Sequence, residues 1–468
     1  MVRTPTQAIL PWAGPALVAC WAAVLVASFV KPDWTRNDFE RFEDLRLLTA
    51  FFVLFVVVSG IYISVYAQRV VVSTPRMTSV TLASAALLLA SFPVASKDPL
   101  GYAFLGRMLA HYHVNPMSVA PDAFAEDPWY VYLSGQPVSI YGPLFYWHTW
   151  LIDVAGGGSF WSAVWLHKAF ATACLLASLW LAQALVPRTA ANASTLVVLL
   201  LWNPLLLLES AAGGHNDIVM VLLLVAALCC WQRDQASAAL ALLAISFWYK
   251  WYSIIFIPIF LIATLRSGGF APAFRQAAIY AGALVVVGVI AVAPLPGALS
   301  AIVGEWTHPQ KMSGIFPNEL SPVLAALFWT LYGLGLFATD LGLEIFNWTR
   351  FGLFAVCAGA VALRQWRTMP GPATIAQGCF LIGLAAFMLL ITQLWPWHLL
   401  VVVVLGILSA EEPFVLIAVL LTVLGLLSYF LTFAVAALLL ILIAGALWLL
   451  RRRGGAYSQI GGTSTLAS

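Results

Sequence analysis

The sequence predicts an all-α protein that crosses a membrane many times. Three observations carry this reading. The 468 residues are 62% hydrophobic and 9% charged, with a mean hydropathy of +0.95. A soluble domain carries about 25% charged residues. Apolar runs near the length of a membrane helix, about 20 residues, recur from end to end, and the charges collect between them.

The runs lie near 10–30, 47–67, 78–95, 160–186, 192–209, 218–231, 236–265, 276–296, 321–338, 346–363, 373–392, 397–410, 413–429 and 432–450. They predict about 12–14 membrane helices. The run 10–30 is longer than a signal h-region and reads as a first span. Residues 1–450 form one transmembrane unit in this reading. The stretch 451–468, opened by Arg451–Arg453 and rich in Gly, Ser and Thr, is a cytoplasmic tail expected to be disordered. Short loops bearing Lys and Arg mark the inner side. Arg69, Arg76, Arg188, Arg233, Arg364 and Arg367 set that side, and 31–46, 96–159, 210–216 and 393–396 then face out.

The run 236–265 is long for one crossing and carries Trp248-Tyr249-Lys250-Trp251-Tyr252 in its middle. The preferred reading splits it into two short helices meeting at Lys250 near the outer face. The run 321–338 is then re-entrant or interfacial. The rival scheme makes each a single crossing. The loop 96–159 is the largest extramembrane piece. Its residues 100–113 have an amphipathic pattern suited to the interface, and Asn115-Pro116 ends that helix.

Composition also excludes functions. A net charge of +3 gives no basic surface for nucleic acid. The six cysteines lie in apolar runs without a CxxC pair, so neither zinc nor disulfides are indicated. No P-loop, HExxH, Gly-x-Ser-x-Gly or GxGxxG occurs. No cofactor is indicated, and a divalent metal is left open.

Polar residues at span ends are the candidates for chemistry, because a bilayer penalises them by several kcal/mol. Asp98 follows a span directly and is placed to take a proton from a sugar hydroxyl. Its local alternative is a helix N-cap before Pro99. His215, Asn216 and Asp217 supply donors and acceptors suited to sugar hydroxyls or phosphate, although Gly213-Gly214 and Asn216 also suit helix ends. Glu209 sits one turn earlier at membrane depth. Lys250 is suited to a lipid phosphate or to snorkelling, and Arg107 to a phosphate or a headgroup. Trp397 and His398 break two spans and offer a stacking platform. Tyr102, Tyr141, His308 and Lys311 complete the candidates. The acids of 38–44 read as a solvated loop.

The order Lys97-Asp98-Pro99-Leu100-Gly101-Tyr102, Gly106-Arg107, Asn115-Pro116, Asp127-Pro128, Tyr141-Gly142-Pro143-Leu144, Asn203-Pro204, Glu209 and Gly214-His215-Asn216-Asp217 resembles the polyprenyl-phosphate-mannose-dependent α-1,6-mannosyltransferases of actinobacteria, which act in the lipomannan pathway. Lys250 and Trp395-Pro396-Trp397-His398 look like counterparts of later motifs. The resemblance covers about 97 to 400 and is most specific from Asp98 to Asp217. Pro99, Gly101 and Met117 depart from the family pattern. The resemblance implies a GT-C-type multispanning bundle in the cytoplasmic membrane, with an extracytoplasmic loop bearing amphipathic helices. It implies inverting transfer of mannose or a similar hexose from a polyprenyl-phosphate donor to a glycan or glycolipid acceptor, with Asp98 as base. Cations among Arg107, His215 and Lys250 would offset the leaving charge. The other reading is a transporter or flippase for lipid-linked sugars. It fits less well, because such proteins show internal repeats and polar residues at the bilayer midplane.

Overall fold

The computed structural model describes residues 10–30, 45–94, 96–132, 141–187, 190, 192–307, 322–336, 340–391 and 394–431. His308, Lys311, the acids of 38–44, the run 432–450 and the tail lie outside the described residues.

The described chain is helical, with no strand. Helices α1 (Ala13–Ser28), α2 (Leu45–Ala67) and α3 (Thr74–Ala90) lead to α4 (Asp98–Ala110). Next come α5 (Pro143–Ala155), α6 (Phe160–Leu185), α7 (Ala193–Leu201), the short α8 (Pro204–Leu207) and a π turn over Leu208–Ala212. Then follow α9 (Asp217–Gln232), α10 (Ala236–Tyr249), α11 (Ile257–Gly268), α12 (Phe270–Val292) and α13 (Ala298–Thr307). The last are α14 (Pro322–Gly333), α15 (Asp340–Arg367), α16 (Pro372–Leu389), α17 (Leu399–Leu408) and α18 (Glu412–Leu427). Among the described residues seven helices are long and apolar enough to cross a membrane, with five shorter apolar helices beside them. This is an all-α polytopic membrane protein.

The run 236–265 breaks at Lys250, whose backbone is extended at φ −149° and ψ 111°. A 3-10 turn, Trp251–Phe256, leads into α11. Ser237 Oγ donates to Gln276 at 3.1 Å and Trp248 Nε1 to the Leu284 carbonyl at 2.6 Å, so α10 and α12 run parallel. Gly269, in a positive-φ conformation at 82°, reverses the chain from α11 into α12. Therefore α10 and α11 form a hairpin with Lys250 at its apex. Helix α14 has 12 residues, or about 18 Å, short of the roughly 30 Å of hydrocarbon.

One core cluster joins most helices, with α9, α17 and the α7–α8 segment at its centre. Peripheral helices present apolar side chains outward, as lipid-facing helices do. Val285, Val286, Val289 and Ile290 on α12 and Leu353, Val356 and Leu363 on α15 are exposed. Helix α4 is enclosed: Leu100, Tyr102, Phe104, Leu105 and Met108 are buried.

Small residues permit the close approaches that membrane helices use. A Cβ at Gly106 on α4 would overlap the Thr149 carbonyl of α5, and one at Gly142 would overlap the Trp248 carbonyl of α10. At Gly60 a Cβ meets nothing. Overpacking costs about 1–3 kcal/mol. Gly106→Ala and Gly142→Ala are therefore expected to lower the thermal midpoint in detergent by several degrees, while Gly60→Ala leaves it unchanged. Equal midpoints for all three would show that the helices do not meet this closely.

Candidate functional site

Asp98 is the first residue of α4, and Lys97 occupies the capping position without a side-chain cap bond. Ser96 Oγ accepts from the Asp98 N–H at 3.0 Å. The cap is thus not the Asp98 carboxylate, whose contacts are Tyr102 and His215. Tyr102, one turn on, donates its hydroxyl to Asp98 Oδ2 at 3.0 Å. The side chain keeps 27% exposure, enough for a substrate hydroxyl to reach it. Tyr141 stands against Tyr102, with ring centroids 5.9 Å apart.

The segment from Asn203 to Asp217 shapes the other wall. Asn203 Oδ1 accepts from the Leu206 N–H at 2.9 Å, and its amide donates to Tyr62 and Thr422. Pro204 removes a backbone donor at a helix start, where none is needed. The π turn then widens the helix, and the Gly213 N–H reaches back to the Leu208 carbonyl. Such insertions cluster at functional sites. Gly214, at φ 61°, turns the chain beneath His215. Any side chain there would be strained and would press on Pro99 and Lys168.

His215 is fully buried. Its Nδ1 lies 3.0 Å from the Glu209 carbonyl and 2.9 Å from the Glu209 carboxylate oxygen Oε2. The hydrogen bond runs to the carbonyl, and the carboxylate is a charge partner beside it. Nε2 has no hydrogen-bond partner and stands 3.7 Å from Asp98 Oδ2. Trp397 stacks on the imidazole at 4.1 Å and 15°, and Trp395 stacks on Trp397. Tyr429 Oη donates to Glu209 Oε1 at 2.8 Å.

Asn216 and Asp217 open α9 and hold Lys250. Lys250 Nζ donates to Asn216 Oδ1 at 3.0 Å and to Asp217 Oδ2 at 2.5 Å. Tyr252 donates to the other Asp217 oxygen. The ammonium also lies 5.5 Å from the ring centroids of Tyr141 and Tyr252. His398 accepts from the Trp395 N–H at 3.2 Å, which fixes the 3-10 turn that carries Trp397.

The structure therefore brings together Asp98, Tyr102, Tyr141, Glu209, His215, Asn216, Asp217, Lys250, Trp397 and His398. Arg107 is elsewhere. It is nine residues along α4, about 13 Å, and its Nε pairs with Asp127 at 2.7 Å. Tyr112 and the Trp129 N–H complete the shell of Asp127. Tyr252 and Tyr429 complete the cluster, and Tyr429 carries no signal in the sequence beyond ending a span. Among the described residues no group of three His, Cys, Asp or Glu side chains forms a metal-ligand set.

Residues 12–266, more than half of the chain, match the family described as alpha-(1->6)-mannopyranosyltransferase, N-terminal domain. The chain belongs to this family. No curated protein matches it. The matched region contains every cluster residue except Trp397, His398 and Tyr429. It is thus a glycosyltransferase-family membrane protein of the mannosyltransferase type, which implies a sugar donor and an acceptor.

Asp127 supplies a pH test of the loop. Burial opposes its charge, but hydrogen bonds from Tyr112, Arg107 and the Trp129 backbone outweigh it and hold the carboxyl below its usual range. A lowered folded pKa stabilises above the unfolded value of about 3.9 and is lost as pH falls through the folded one. Asp127→Asn is expected to melt earlier at neutral pH, with the gap to wild type closing below about pH 4. A gap that stays constant on acidification would remove the ionic account.

Proposed function

We propose that this protein transfers mannose from a polyprenyl-phosphate donor to a glycan or glycolipid hydroxyl at the extracytoplasmic face of the cytoplasmic membrane. The carrying observation is the partly exposed Asp98 carboxylate beside a buried imidazole and a paired ammonium at the ends of membrane helices.

The chemistry follows from the groups present. A β-linked donor reacts by single displacement. The acceptor oxygen attacks C1 as its proton passes to Asp98, the bond from C1 to the phosphate oxygen breaks, and the lipid phosphate departs as a monoester. Tyr102 holds the carboxylate in register. His215 and Lys250 are the cations of the site, and they offset the second negative charge that develops on the phosphate. Lys250 uses two donors on Asn216 and Asp217, and an ammonium has three. Arg107, committed to Asp127, serves the loop in this reading. Trp397 and Trp395 present ring faces on which a sugar or the lipid chain can lie. The apolar outer surface admits a donor that never leaves the bilayer. The polar groups gather in one cluster at helix ends, which favours the enzyme over a transporter.

Asp98→Asn keeps the acceptor for Tyr102 and removes the base. General bases contribute about 10²–10⁴-fold. Purified mutant and wild type, supplied with polyprenyl-phosphate-mannose and a mannoside acceptor, are expected to differ by at least a hundredfold in turnover, with similar thermal midpoints. Turnover of the mutant within about tenfold of wild type would remove Asp98 from the role.

A further inference from the structure

The environment of His215 fixes which atom carries its proton. The Glu209 carbonyl accepts from Nδ1. A carbonyl cannot donate, so Nδ1 keeps its hydrogen in both protonation states. The titrating atom is therefore Nε2, the unpartnered nitrogen that faces Asp98. At 3.7 Å it stops short of a hydrogen bond to the carboxylate, so both groups stay available to a third atom placed between them.

The setting around the ring is asymmetric. Glu209, wholly buried at the start of the π turn, presents its carboxylate to the Nδ1 edge. Tyr429, at the end of α18, holds that carboxylate from the far side. Trp397 covers one ring face. Asp98 from α4 and Asp217 from α9 add negative charge. Lys250 is paired with Asp217, and His398 by position adds a neighbouring imidazole. Lys168 of α6 lies beside Gly214 and gives its ammonium to the Leu89 carbonyl of α3 and to that of Ser91 just beyond it. Glu209 is the carboxylate nearest His215, and it is sealed from solvent and from any substrate.

We propose that Glu209 is a positioning residue, which holds His215 as an imidazolium whose Nε2–H points at the oxygen of the departing phosphate beside Asp98. This rests on the proposed transfer for its catalytic consequence. No proton leaves the imidazole: the acceptor proton goes to Asp98, and Nε2–H donates a charge-assisted hydrogen bond to the phosphate monoester.

The test reads the ring without substrate, so its failure is distinct from failure of the proposed transfer. Protein labelled with [13C]histidine in detergent is titrated by NMR, and the His215 signal is assigned by its loss in His215→Gln. Glu209→Gln removes the charge at constant shape and is expected to lower the ring midpoint by about one unit or more. Tyr429→Phe keeps the carboxylate and deprives it of a donor that shares its charge, so the midpoint rises. An unchanged midpoint in Glu209→Gln overturns the proposal. So does a fall in both variants, which would mark a loss of packing. If Glu209→Gln does not fold, Tyr429→Phe decides alone, since a raised value supports the proposal and an unchanged or lowered one contradicts it. In the transfer assay, Glu209→Gln is expected to reduce kcat with little change in acceptor KM, and to lose activity at a lower pH than wild type.

Discussion

The buried ion pair of Lys250 with Asp217 is the constraint on which the rest of the site depends. It ties the start of α9 to the apex of the α10–α11 hairpin, and Asn216 adds a bond to the ammonium and Tyr252 one to the carboxylate. Breaking such a pair from one side leaves an uncompensated charge and costs about 3–5 kcal/mol. An apolar pair of the same volume would often be as stable. The ions therefore fix one geometry at the top of a hairpin that apolar packing alone would let slide. With α9 pinned, the turn before it is pinned too, and that turn carries His215.

The residues that carry the family resemblance divide into two kinds. Asp98, Glu209, His215 and Asp217 meet in the cluster. Asn115, Asn203 and Gly142 never enter it, yet each fixes a wall. Asn115 donates to the Pro296 carbonyl at 2.9 Å and so ties the α4 loop to the turn between α12 and α13. Asn203 bonds at once to its own turn, to Tyr62 on α2 and to Thr422 on α18. Gly142 lets the start of α5 lie on the carbonyl of Trp248, next to Lys250. The chemistry occupies a small volume, and much of the motif is scaffolding for it.

Local signals revealed much of this in the sequence. The apolar runs gave the helices because spacing and length are local properties. Lys250 marked its own break, since a charge in the middle of an overlong run is costly unless the chain turns there. Asp98 was legible as a carboxylate at a span end, although its helix position was not: Lys97 takes the cap, and Asp98 turns to Tyr102. Long-range partners were not legible. Arg107 has the residue type of a phosphate ligand, and only tertiary structure shows it spent on Asp127, twenty residues away. Tyr429 reaches Glu209 across a sequence separation of 220, a contact that no pattern in either segment announces. The ring orientation of His215 depends on a π turn whose extra residue leaves no mark in composition.

The central claim is single displacement from a lipid-linked sugar by a base at Asp98, and the configuration of the product tests it most directly. Purified protein in lipid nanodiscs would be given β-linked polyprenyl-phosphate-mannose and a mannoside acceptor, and the new anomeric linkage read by NMR. The account predicts an α-linked product, and no product when a nucleotide sugar replaces the lipid donor. A β-linked product, or transfer from the nucleotide sugar alone, would contradict it.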